Sequence, residues 1–71
     1  MRHFNREKLK NLRKRKRIST TRLAMETGLE QSTIHRIESG EIKYPSYDSI
    51  AIISDFFKVN METFKQGSYF K

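Results

Sequence analysis

Cysteine is absent from this 71-residue chain, which excludes both a disulfide framework and a thiolate metal site as devices for stabilising so small a fold. That lack suits the reducing cytoplasm better than a small secreted protein. No run of about 18 apolar residues exists, and no apolar stretch follows the basic N-terminus. Neither a membrane span nor a secretory signal is therefore expected. A glycine-rich phosphate loop is missing too, and the two histidines, His3 and His35, stand far apart. His35 and Glu38 form an i, i+3 pair, but two ligands do not make a metal site. With no catalytic set, no metal site and no cofactor motif, the chain reads as a non-enzyme. Its length allows one domain, spanning 1–71, with no cleft between domains to hold a substrate. A soluble, cytoplasmic protein is the expectation.

What the chain does have is lopsided charge. Residues 1–22 carry ten Lys and Arg against the single acid Glu7, whereas 23–71 carry five against seven acids, for a formal net charge of +7. A positive field concentrated in this way attracts polyanions, nucleic acid first and an anionic membrane second. The simpler alternative is a solvated helix face that aids solubility.

The hydrophobic spacing is helical throughout, with no strand pattern and no internal repeat. After a short arm at residues 1–4, Asn5 can cap a first helix that carries Glu7 in its first turn and turns Leu9 and Leu12 inward. The run from Arg13 to Arg17 is expected to be mostly exposed, and Ile18 and Ser19 end this element. A second helix over Thr20 to Thr27 buries Leu23 and Ala24, the small Ala24 permitting a close helix crossing. Gly28 closes it in the left-handed conformation. Leu29 fills the gap, and Glu30 takes the N-cap position of a third helix over about Gln31 to Glu38, which stops at Ser39 and Gly40. Two short helices joined by so tight a turn describe a helix-turn-helix. On the third helix Ile34 and Ile37 share one side while Gln31, Ser32, His35 and Arg36 share another.

Beyond a loop fixed by Pro45, the only proline, Ser46 caps a fourth helix lined inwardly by Ile50, Ile53 and Phe57. Val59 and Asn60 then turn the chain into a short fifth helix that brings Met61 and Phe64 inward and ends at Gly67. The expected architecture is all-α with five helices, a core at 5–65 and a tail at 66–71.

From Leu9 to Phe64 these residues resemble the Cro/C1-type helix-turn-helix domain, also called the XRE family or lambda-repressor-like domain. The matching pieces are LKNLR in the first helix, Leu23, Ala24 and Gly28 as L-A-x-x-x-G, Ile34, Ile37, Glu38 and Gly40 as I-x-x-I-E-x-G, and Pro45-Ser46 opening the fourth helix. Each piece is weak alone; their order and spacing are specific.

The resemblance implies that the third helix lies in the major groove of double-stranded DNA with its early residues on base edges. Gln31 would then face a base, where an amide suits adenine, followed by Ser32, with Arg36 one turn later suited to guanine. His35 and Thr33 are further candidates for base contact. Backbone contacts are implied at Thr20 and in the segment from Ser39 to Tyr44, through main-chain N–H groups and the charge of Lys43. The family commonly has glutamine where this chain has Thr20, so a glutamine bridge between the second and third helices is not expected. The resemblance also implies a partly buried ion pair between Arg13 and Glu38, locking the first helix to the third.

A single module of this kind reads a half-site, so a homodimer on a two-fold operator follows, in the manner of a transcriptional repressor. Ile52 and Phe56, spaced i and i+4 on the fourth helix away from its inner face, are the candidate contact together with Tyr69 and Phe70 of the tail, the alternative being that the tail folds back over Ile52 and Phe56 within a monomer; exposed apolar residues on a small protein favour the two-fold contact. The competing assignment is a protein-interaction module, such as the antitoxin or anti-repressor partner of another chain, built on the same fold. It predicts apolar anchors on the third helix, where the sequence is polar and basic. A membrane-surface role is weaker, because the apolar face of the first helix is narrow and needed by the core.

Overall fold

A computed structural model describes residues 4–65. Helix α1 spans Arg6–Arg15, α2 Thr20–Thr27, α3 Gln31–Ser39 and α4 Tyr47–Phe57. Three of them, α1, α2 and α4, begin where a short polar side chain satisfies an amide that has no partner within the helix. Asn5 accepts from the Lys8 amide at 3.1 Å, Ser19 from Arg22 at 3.0 Å and Ser46 from Ser49 at 3.1 Å. Gly28 and Gly40, at φ +79° and +90°, close α2 and α3 in the left-handed region that only glycine enters without a steric cost. Elsewhere the same conformation is taken by Arg17 at φ 61°, in the α1–α2 turn, and by Lys58 at φ 57°, which ends α4.

The core draws on every element. Leu9 and Leu12 of α1, Leu23 and Ala24 of α2, Ile34 and Ile37 of α3, and Ile53 and Phe57 of α4 are buried together, with Ile18, Leu29, Ile42, Ile50, Phe56 and Val59 packed around them. Ile50, expected on the inner face of α4, is half-buried at its edge.

The two ends of the described chain depart from the sequence expectation. The fifth element is one 3₁₀ turn, Met61–Phe64, and not an α-helix reaching towards Gly67, which lies outside the described residues. Asn60 caps it by accepting from the Glu62 amide at 3.0 Å, and four residues are too few to nucleate α-helix. At Lys65 the chain is already extended, and it forms an isolated antiparallel bridge with Phe4. Phe4, read from the sequence as part of an arm, is a core residue stacked on Phe64 with ring centroids 5.0 Å apart. The Asn5 amide donates to the Phe64 carbonyl and completes this clasp. No helix among the described residues is long and apolar enough to cross a membrane.

Candidate nucleic-acid interface

Helices α2 and α3 meet at a three-residue turn, Gly28 to Glu30. The Gly28 amide donates to the Ala24 carbonyl at 2.8 Å, and Thr27 Oγ1 donates to the Leu23 carbonyl at 2.8 Å while accepting from the Leu29 amide at 3.4 Å. Thr27 therefore closes the turn by a local side-chain bond that helical spacing does not reveal. Glu30 occupies the N-cap position of α3 with extended backbone, but its side chain makes no capping bond.

The two sides of α3 are sharply different. Ile34 and Ile37 are fully buried, whereas Gln31, Ser32, His35 and Arg36 are exposed and Thr33 is half-buried on the flank. The side chains of Gln31, Ser32 and His35 make no hydrogen bond or ion pair among the described residues, so their polar groups are unengaged.

Behind this surface Arg13 holds Glu38. Arg13 Nε donates to Glu38 Oε2 at 2.7 Å and Nη2 donates to Oε1 at 3.0 Å, a two-bond fork between α1 and α3. The remaining arm, Nη1, donates to the Ile18 carbonyl at 2.9 Å, so one guanidinium ties both helices to the α1–α2 turn. Hydrogen bonding to Glu38 raises the Arg13 pKa above its ordinary value, outweighing the desolvation that lowers it, with the carboxylate charge adding to the rise. Glu38 is buried and His35 exposed, so this i, i+3 pair does not converge. Among the described residues no three His, Cys, Asp or Glu side chains come together as a metal ion would require.

At the exit of α3 the chain folds tightly on itself. Ser39 Oγ donates to the Arg36 carbonyl at 3.1 Å and accepts from the Glu41 amide at 3.3 Å. The Gly40 amide donates to the Ile37 carbonyl at 3.2 Å and the Ile42 amide to the Arg36 carbonyl at 3.1 Å. The Ser39 hydroxyl and the first amides of this segment are thus engaged within the chain. What it presents outward is the exposed Lys43 and the exposed Tyr44, whose ring borders a shallow apolar groove of about 210 Å³ formed with Phe4, Pro45, Ile50, Met61 and Phe64. Glu41 lies back against the reading surface, its carboxylate 3.7 Å from Arg36 Nε. Thr20 is the half-buried first residue of α2, directly after its cap.

Of the candidate dimer contacts, Ile52 is 39% exposed. Phe56 is half-buried, its ring set edge-on to Phe57 at 5.0 Å and beneath Lys16 Nζ at 5.4 Å. The two do not form one bare apolar pair, because Phe56 already has partners within the domain. Tyr69 and Phe70 lie outside the described residues.

Sequence comparison agrees with this geometry. The family model for the Cro/C1-type HTH DNA-binding domain matches residues 8–64. Among curated proteins no sequence matches the chain. A match that runs from α1 through the 3₁₀ turn, on a chain whose α2 and α3 join at Gly28, establishes that this protein belongs to the Cro/C1-type helix-turn-helix DNA-binding family.

Proposed function

We propose that the protein is a sequence-specific transcriptional regulator, a repressor that occupies a two-fold operator as a dimer with α3 in the major groove. The observation that carries this reading is the outward stripe of α3, where Gln31, Ser32, His35 and Arg36 are exposed over a fully buried floor of Ile34 and Ile37. A major groove admits one such helix, and amide and guanidinium groups are the side chains that discriminate adenine and guanine by paired hydrogen bonds. In this reading Gln31 and Arg36 are the main base readers, Ser32 and His35 lie beside them, and Thr33 touches the groove wall. Lys43, Tyr44 and Thr20 meet the sugar-phosphate backbone, while Ser39 serves mainly to shape the turn that presents them. The free face of Ile52 supports a two-fold contact, with Phe56 as its edge. A protein-binding role for α3 has less support, since its outward face offers no apolar anchor.

Selection of bound duplexes from random-sequence DNA tests this. Enrichment of an inverted repeat whose half-site centres lie about one helical turn apart is expected. Enrichment of a lone half-site would remove the dimer from the proposal. Binding that selects no motif and ignores added salt would remove DNA recognition altogether.

A further inference from the structure

Arg6, the first residue of α1, is exposed and lies across the far end of α3. A Cβ placed on Gly40 would meet Arg6 Cζ and Nη1 at 3.0 Å and Nε at 3.2 Å, so the guanidinium plane covers the glycine that ends the reading helix. Gly40 caps the C-terminus of α3, four residues after Arg36 in the chain. Arg6 makes no hydrogen bond or ion pair among the described residues. The nearest acid in sequence to Gly40, Glu41, is engaged with Arg36 instead. Its position on α1 offers the cation nothing, because the N-terminus of its own helix carries partial positive charge.

We propose that Arg6 is a phosphate-contacting residue of the DNA interface, extending the reading stripe of α3 onto the backbone beyond Gly40. This rests on the assignment of α3 as the reading helix. A guanidinium offers five donors in a flat fork that fits phosphate oxygens, and this one lies over Gly40 with its donors unengaged among the described residues. Two separate demands then fall on Gly40. It must adopt φ +90°, and it must leave its Cα face bare so that Arg6 can lie there. The competing explanation is purely structural, a cation set against the negative end of the α3 dipole.

The two explanations differ in salt dependence. Binding of wild type, Arg6→Gln and Arg6→Lys to a selected operator duplex and to an unrelated duplex is measured across salt concentrations, with melting curves for each protein. Arg6→Gln is expected to weaken both duplexes equally, by about 8-fold at 0.1 M salt, and to reduce the salt slope by about 0.9, the value of one phosphate contact. Arg6→Lys is expected to retain most of the slope. An unchanged slope in Arg6→Gln, whether or not its melting temperature falls, overturns the proposal while leaving α3 as reader intact. Failure of the wild type to bind either duplex overturns both.

Discussion

Replacing Arg13 by alanine is expected to damage stability far more than replacing its neighbours in the same basic run. The substitution removes two charge-assisted hydrogen bonds to Glu38 and one to the Ile18 carbonyl. What remains is a carboxylate on a side chain only 7% exposed, which water reaches poorly. Breaking such a pair costs about 3–5 kcal/mol when fully buried, and the 15% exposure of Arg13 places this case near about 3 kcal/mol. A domain of this length has roughly 4–10 kcal/mol in total, so the loss is a large share of it. At about 4–8 °C per kcal/mol, the melting temperature should fall by about 12–24 °C. Arg15→Ala, an exposed change with no ion pair among the described residues, should stay within about 0.5 kcal/mol. Glu38→Ala should fall between them at about 1–2 kcal/mol, because the freed guanidinium keeps the Ile18 carbonyl and some access to water. Circular-dichroism melts and urea titrations of the three proteins decide the matter. Equal midpoints for Arg13→Ala and Arg15→Ala would refute the brace, and a larger loss for Glu38→Ala than for Arg13→Ala would refute the reasoning about which charge is left stranded.

Gly28→Ala and Gly40→Ala should each cost about 1 kcal/mol from their positive φ, since nothing lies within 4 Å of the methyl at Gly28 and the methyl at Gly40 meets only the end of the exposed Arg6 side chain, which can swing aside; a much larger loss at Gly40 than at Gly28 in melts would show that Arg6 cannot yield. Phe4→Ala should destabilise by about 3 kcal/mol through loss of the stack on Phe64, where a dispensable arm would lose almost nothing. Glu41→Gln should tighten DNA binding about 2- to 5-fold at low salt, as it frees Arg36 and removes a carboxylate from the phosphate-facing side, with the gain shrinking as salt is added. Fluorescence anisotropy on a labelled duplex checks this, and weaker binding by the variant would show that Glu41 orients Arg36 productively.

The helix boundaries were legible because their determinants are local. Asn5, Ser19 and Ser46 cap within three residues, and Gly28 and Gly40 stand where a left-handed residue must follow. The division of α3 into buried and exposed sides follows from its period alone, and the floor of Ile34 and Ile37 needed no tertiary knowledge. Phe4 was not legible, because its partner Phe64 lies at the other end of the domain and no periodicity marks an isolated aromatic. Arg6 looked like one more cation of a basic segment until the fold laid it on Gly40. Phe56 had the spacing of a free surface residue, yet Lys16 and Phe57 cover much of its ring. Ser39 carried the polar character of a contact residue, but backbone curvature after α3 turns its hydroxyl into a local cap bonded to the Arg36 carbonyl and the Glu41 amide. Arg17 and Lys58 take left-handed backbone that neither side chain favours, so packing of the flanking helices overrode local preference at both turns.

The clasp between Phe4 and Lys65 has a topological consequence. The first and last described residues are paired as an isolated antiparallel bridge, and the Asn5 amide is bonded to the Phe64 carbonyl. The path from Phe4 to Lys65 is therefore nearly a closed ring, entered and left at one point. A unit of this kind can be spliced into a surface loop of a host protein without prising its ends apart, and its ends can be joined and new ones opened elsewhere by circular permutation. The loop from Glu41 to Pro45 would be the wrong place to cut, since it follows the reading helix directly. The turn at Lys58 to Asn60 offers a cut outside α3 and its exit.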